Sequence, residues 1–231
     1  MPLIVLVTAS LLVYGNTLAF RAVRAPVVVA VNLAVAAGLV VLARAVDISW
    51  GALAADAEGL PSGLLWGGVA ALVVSLAAGI IQATPLRKAF RDLRAVDMRP
   101  PTMAFHYLVR IPFGTALFEE VAFRGVLLAL LAREGFEMGA ILWSSVAFGL
   151  WHVGASLDFL RANSPRADGG AKALAIVSGV ALTTAGGILF AVLRIAAESL
   201  LAPILAHAAF NVAGLNLARS EPRPADEPAA P

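Results

Sequence analysis

The chain has 231 residues, 60% of them hydrophobic and only 14% charged, with a mean hydropathy of +0.87. Soluble domains run near half apolar and a quarter charged, so this composition argues against a water-soluble globular fold. A net charge of +2 gives no footprint for nucleic acid. The absence of cysteine removes disulfides, thiolate nucleophiles, iron–sulfur clusters and cysteine zinc sites, which leaves histidine, carboxylates and hydroxyls to carry any chemistry.

A membrane crossing takes about 20 mostly apolar residues. Seven stretches qualify: 3–20, 26–46, 62–83, 104–132, 138–155, 173–193 and 197–217. The expectation is an all-α, polytopic helical membrane protein with about seven transmembrane helices around an intramembrane polar cavity. It forms one domain over 1–218, whose motif-bearing core lies at 104–217. The first stretch reads as a retained helix, because nothing basic precedes it and Arg21-Ala22-Val23-Arg24 is unlike a small-residue cleavage site. The fourth carries Pro112 and Gly114, so a kinked span, or a short interfacial helix leading into one, is expected. Before it, the basic stretch 86–99 has Leu86, Phe90, Leu93 and Val96 at helical spacing and reads equally as an inner-leaflet helix or a solvated loop. Residues 219–231 are rich in Pro, Glu, Asp and Ala and read as a disordered tail.

Alternating the loops puts Arg21, Arg24, Arg87, Lys88, Arg91, Arg94, Arg99, Arg161, Arg166, Lys172, Arg219 and Arg223 on one side. The other side keeps only Arg44, Arg133 and Arg194. The positive-inside rule then predicts a multi-pass protein of the cell membrane, with its N-terminus outside and its C-terminus cytoplasmic.

An ionised side chain at the bilayer centre costs roughly 2.5–3.5 kcal/mol on insertion scales, yet the fourth span carries Glu119, Glu120 and Arg124 within one short run. Glu120 and Arg124 stand four apart, about 40° in azimuth on a helix, and can form an ion pair that offsets part of their burial. Glu119, about 100° away, is left to face something else, such as a water-filled pocket. The fifth span places Phe148 and His152 on one helical face, and the seventh does the same with His207 and Asn211 across small residues. A lone histidine in an apolar helix is more often a packed, hydrogen-bonded residue than a catalyst, and a packing role is open to His207 and Asn211 as well. Converging at one depth, a Glu, two His and an Asn could activate a water and stabilise an oxyanion, the two tasks of peptide hydrolysis. His106, four before Arg110 with no acid nearby, reads as interfacial, and no G-x-S-x-G elbow supports a serine nucleophile.

Glu119-Glu120-x-x-x-Arg124, Phe148-x-x-x-His152 and His207-x-x-x-Asn211 resemble, in order and helical placement, the signature of the CPBP family of intramembrane proteases, which includes the CAAX prenyl proteases. The resemblance runs from Phe118 to Asn211. It implies a cavity open toward the cytoplasm and the bilayer, with Glu119 and His152 polarising the attacking water and His207 and Asn211 lining the oxyanion hole. Arg124 would anchor Glu120, and Phe148 would shape the pocket. The implied substrate is a hydrophobic or lipidated peptide or protein in contact with membrane lipid. Glu119, His152 and His207 could also hold a catalytic zinc ion, but a mechanism that requires no cofactor is favoured here. A non-enzymatic membrane scaffold or bacteriocin self-immunity factor would use the same polar cluster to bind a partner. A proton-coupled carrier ranks below both, because no inverted repeat or pair of broken helices is present.

Overall fold

The computed structural model describes residues 1–18, 24–96, 98–135 and 137–219, and among them it is built of helices and connecting turns with no strand. The helices are α1 (Pro2–Val13, continuing in wider π winding over Tyr14–Leu18), α2 (Ala25–Ala45), α3 (Leu60–Gln82) and α4, a run over 100–133. They are followed by α5 (Glu137–Trp151), α6 (Val153–Asn163), α7 (Gly169–Ala197) and α8 (Leu201–Ala218). Proline at the first helical positions opens α1, α2, α3 and α4, where its missing N–H costs nothing. The Asp168 side chain caps α7 by accepting from Ala171 N, and Glu198 closes that helix in the left-handed conformation at φ 49.

Five helical stretches are long and apolar enough to cross a membrane: Ala25–Ala45, Leu60–Gln82, Met138–Asn163, Gly169–Ala197 and Leu201–Ala218. The first of the seven expected spans is represented by a shorter apolar helix, Pro2–Thr17. The fourth is the charged run 100–133, which is helical without interruption. It absorbs Pro112 by π winding over His106–Leu117, which spares the i→i−4 bond that proline cannot make. The expected end of the first span at 19–20, the Arg21-Ala22-Val23 stretch and the tail from 220 onward lie outside the described residues.

The connections gather at two ends. At one, the amino group of Met1 meets Glu134, Arg133 donates to Val46 O, Arg194 donates to Ala52 O and Leu200 N donates to Ala54 O. At the other, Asp92 N donates to Ala218 O, Leu93 N donates to Asn163 Oδ1 and Arg219 donates to Met98 O. The stretch 86–99 is not one amphipathic helix. It forms a 3₁₀ turn over Pro85–Phe90, with Leu86 and Phe90 exposed, and a separate helical turn over Leu93–Val96 that buries Leu93 and Ala95.

Within the body of the protein a polar chain ties three helices. Tyr14 of α1 donates to Asn32 of α2, whose amide donates to Gly114 O of α4 at 2.7 Å. On the far side, α3 leans on α8 through Gly63 and Gly67. A Cβ at Gly67 would lie 2.9 Å from Leu205 Cδ1 and 3.0 Å from Ala202 Cα, whereas one at the neighbouring Gly68 meets nothing within 4 Å. Alanine is favoured over glycine in a helix by about 1 kcal/mol. Gly68→Ala is therefore expected to hold or raise the thermal unfolding temperature in detergent, and Gly67→Ala to lower it, through about 1–2 kcal/mol of overpacking.

Asp92 fastens the 83–99 loop by accepting from Arg94 at 2.6 Å and from Asn163 at 3.2 Å. Burial by itself would push this carboxyl up, but the bonds and charge of Arg94, helped by Asn163, reverse the effect and hold it below its ordinary 3.8. A depressed carboxylate contributes stability that is fully present above its unfolded value and is lost as pH falls through the folded value. The difference in unfolding temperature between wild type and Asp92→Asn should accordingly be full at about pH 6 and shrink below about pH 4.

Candidate active site

The middle of α4 carries the charged cluster, and its winding decides where each side chain points. A short α-helical turn, Phe118–Glu120, sits between the two π-wound stretches His106–Leu117 and Val121–Leu127. Such π segments recur at functional sites because they re-aim side chains without ending the helix. Glu120 and Arg124 have no exposed surface, and Arg124 Nη1 lies 3.1 Å from Glu120 Oε1. Glu119 and His207 retain only 7% and 4% exposure.

The same Glu120 oxygen accepts from His207 Nδ1 at 2.7 Å. A carboxylate paired with arginine can only accept, so Nδ1 carries a proton and Nε2 is directed elsewhere. It stands 3.8 Å from Glu119 Oε2, and His152 Nε2 stands 3.9 Å from that same oxygen. In His152 the ring Nδ1 lies 2.8 Å from Phe148 O. A carbonyl only accepts, so here too Nδ1 bears the proton and Nε2 presents its other face to Glu119. Two imidazoles from different helices thus address one carboxylate oxygen.

His152 lies at a break rather than inside a continuous span. Its backbone, at φ −90 and ψ 4, ends α5 and starts α6. Its N–H reaches back to Gly149 O at 3.0 Å, and the carbonyl that this leaves over, Phe148 O, is the one its own ring satisfies.

Aromatic rings hold the cluster. The Arg124 guanidinium lies 4.0 Å over the Phe148 ring and 5.4 Å from Phe190, a cation–π sandwich in a dry site. Phe148 also meets His152 edge-on at 4.6 Å, and Phe190 stacks on His207 at 4.9 Å. Gly187 makes the room, since a Cβ there would come within 3.0 Å of Arg124 Nη2 and of Ser145 Cβ. Among the described residues, Arg124 Nε and Nη2, Glu119 Oε2 and Glu120 Oε2 are buried without a hydrogen-bond partner.

Glu119 and His152 line a cavity of about 280 Å³ whose wall also includes Asn16, Arg94, Arg110 and Asp158. It extends toward the end of the protein that holds the 83–99 loop. Arg110 is bonded to His106 Nε2 at 3.3 Å, so His106, an outlying residue in the sequence, is coupled to the cavity wall.

Of the sequence-predicted residues, Glu119, Glu120, Arg124, Phe148, His152 and His207 come together. Asn211 lies half-buried one turn beyond His207 on α8, outside the hydrogen-bonded cluster. Phe190 and Gly187 carry no motif and were not anticipated. Asn16 was also missed, although its side chain is a polar group in an apolar span, which is the signal that could have found it. As a zinc site the arrangement does not fit. Tetrahedral zinc at about 2.1 Å places its donors about 3.4 Å apart, shorter than both separations from Glu119 Oε2. No group of three His, Asp or Glu among the described residues is placed to hold a metal ion.

These features define a class: an all-α membrane protein with a buried carboxylate–bis-imidazole centre opening on an internal cavity. Residues 101–213, just under half of the chain, match the family described as type II CAAX prenyl endopeptidase, Rce1-like. No curated protein and no solved structure matches it.

Removing one partner of a buried ion pair strands the other, at a cost of about 3–5 kcal/mol. Arg124→Met should lose that much stability in thermal unfolding in detergent. Glu119→Gln, which keeps the shape and removes no ion-pair partner of Arg124, should unfold close to the wild-type temperature.

Proposed function

We propose that the protein is an intramembrane endopeptidase that hydrolyses a peptide bond in or next to the membrane. The observation that carries this reading is the pair of imidazole Nε2 atoms directed at Glu119 Oε2 on the cavity wall. Glu119 takes a proton from the attacking water and passes it to the leaving amine nitrogen, while His152 Nε2 orients that water. His207 donates to the oxyanion through Nε2. Because its Nδ1 proton is committed to Glu120, it does so as the imidazolium, and the Glu120 carboxylate stabilises that charge. Asn211, on the same helix, supplies the second donor.

The substrate on this reading is a hydrophobic or lipidated peptide or protein held against the bilayer. The family description points to prenylated C-a-a-X chains, whose reactive bond lies near a free carboxyl end. Arg94 and Arg110 on the cavity wall suit an anionic end of this kind. No cofactor is required. The distribution of Lys and Arg supports an N-terminus outside and a C-terminus in the cytoplasm of the cell membrane, so the cavity opens toward the cytoplasm.

The test is cleavage of prenylated and unprenylated hydrophobic peptides by purified protein in detergent or liposomes. Glu119→Gln should lower kcat by about 10²–10⁴-fold while the protein stays folded and membrane-inserted, and a strong chelator should leave wild-type activity unchanged. Activity abolished by chelator would replace this mechanism with a metal-dependent one. Full cleavage by Glu119→Gln would end the glutamate reading, and a wild type that cleaves none of the peptides would favour the scaffold reading.

A further inference from the structure

The break at His152 leaves a gap in the backbone ladder that its own helix does not close. In an unbroken helix Gly154 N would donate to Leu150 O. Here Gly154 N donates instead to Asn16 Oδ1 at 2.7 Å, and Leu150 O accepts from Asn16 Nδ2 at 3.0 Å. One carboxamide from α1 is thus inserted between the two orphaned groups and satisfies both, with His152 between them in sequence. A third bond, from Asn16 Nδ2 to Leu12 O at 3.0 Å, fixes the amide to its own helix.

The packing around this insertion has little slack. A Cβ at Gly154 would lie 3.3 Å from Asn16 Oδ1, and one at Gly15 would overlap the Trp151 ring, with Cζ3 at 2.8 Å. The Tyr14 ring lies 5.8 Å from that of Trp151. Tyr14, Gly15 and Asn16 therefore grip the residues on both sides of His152 at a π-wound segment of α1. Asn16 faces the same cavity as Glu119 and His152.

We infer that Asn16 is a positioning residue for His152: its side-chain amide holds the α5–α6 break in the one geometry that directs His152 Nε2 at Glu119. Asn16 lies outside the family-matched segment 101–213, so the first helix is part of the active centre rather than an accessory span. The assignment of a catalytic consequence rests on the protease reading. The assignment of a geometric one does not.

Two measurements separate these. Ring-¹⁵N histidine NMR in a His106→Gln background, with His152 and His207 told apart by His152→Gln, reads the tautomer directly. Wild type should show His152 fixed with Nδ1 protonated. In Asn16→Ala its two nitrogen signals should move toward their average while those of His207 stay in place. Unchanged His152 signals in Asn16→Ala would overturn the inference, and so would equal disturbance of both histidines together with a collapse of the unfolding temperature, which marks a merely structural role.

Where the wild type cleaves peptide, Asn16→Ala should lower kcat about 10–100-fold with KM within about threefold, the split expected when a catalytic group is misplaced and binding is not. Asn16→Asp keeps the acceptor for Gly154 N and should recover part of the loss, whereas Gly68→Ala, whose added methyl meets nothing within 4 Å, should leave kcat near wild type. A kcat unchanged in Asn16→Ala would overturn the catalytic consequence. Cleavage surviving in Glu119→Gln would sink the protease reading instead, with the NMR result still deciding the role of Asn16.

Discussion

Arg124, with no exposed surface, carries a full positive charge into the interior of a membrane protein, and most of the centre is arranged around that burial. Glu120 neutralises it from one turn away, Phe148 and Phe190 offer their ring faces to the guanidinium, and Gly187 leaves the space it fills. Desolvating two ions costs several kcal/mol each, and their attraction repays that only when further bonds and well-packed neighbours complete the site. The completing bond comes from His207, whose proton goes to the Glu120 oxygen shared with Arg124. The buried pair thus fixes the rotation of α8 about its own axis, and with it the direction of the second imidazole.

The two ends of the molecule are fastened by different means. At the end holding Met1, Arg44, Arg133 and Arg194 each donate to a backbone carbonyl of the 46–52 region, so cations serve as caps for a loop. At the opposite end a single carboxylate, Asp92, gathers Arg94 and Asn163, and its backbone binds the end of α8. The cavity approaches this second end, where Arg94 belongs both to the fastening and to the cavity wall.

Much of the centre was legible in the sequence because charge is expensive in hydrocarbon. Glu119, Glu120, Arg124, His152 and His207 stand out wherever they occur in apolar spans, and a four-residue spacing correctly pairs Glu120 with Arg124 and leaves Glu119 toward the cavity. What helical periodicity could not supply was the departure from regular winding. Neither the π segments on either side of Glu119 nor the break at His152 announces itself, since no proline marks the break and Pro112 lies well before the charged run. The attachment of His207 to Glu120 was equally out of reach, because spacing along one helix says nothing about the partner it meets on another. The 86–99 stretch went the other way: its apolar residues have helical spacing, yet a 3₁₀ turn and a separate helical turn divide them between solvent and interior.

The amide of Asn16 that closes the ladder at His152 joins the first helix of the chain to its fifth and sixth. In order of synthesis, α1 leaves the ribosome before more than a hundred further residues that must be made before its partner groups exist. Until α5 docks against it, Asn16 waits in or near the bilayer with little to bond but its own helix, and the α5–α6 junction has two backbone groups that no neighbouring turn can satisfy. Neither partner is complete alone, so the centre can assemble only after both α1 and the α5–α6 junction have been made. A nascent chain arrested before α6 emerges would have every charged residue of α4 in place and still lack an oriented His152.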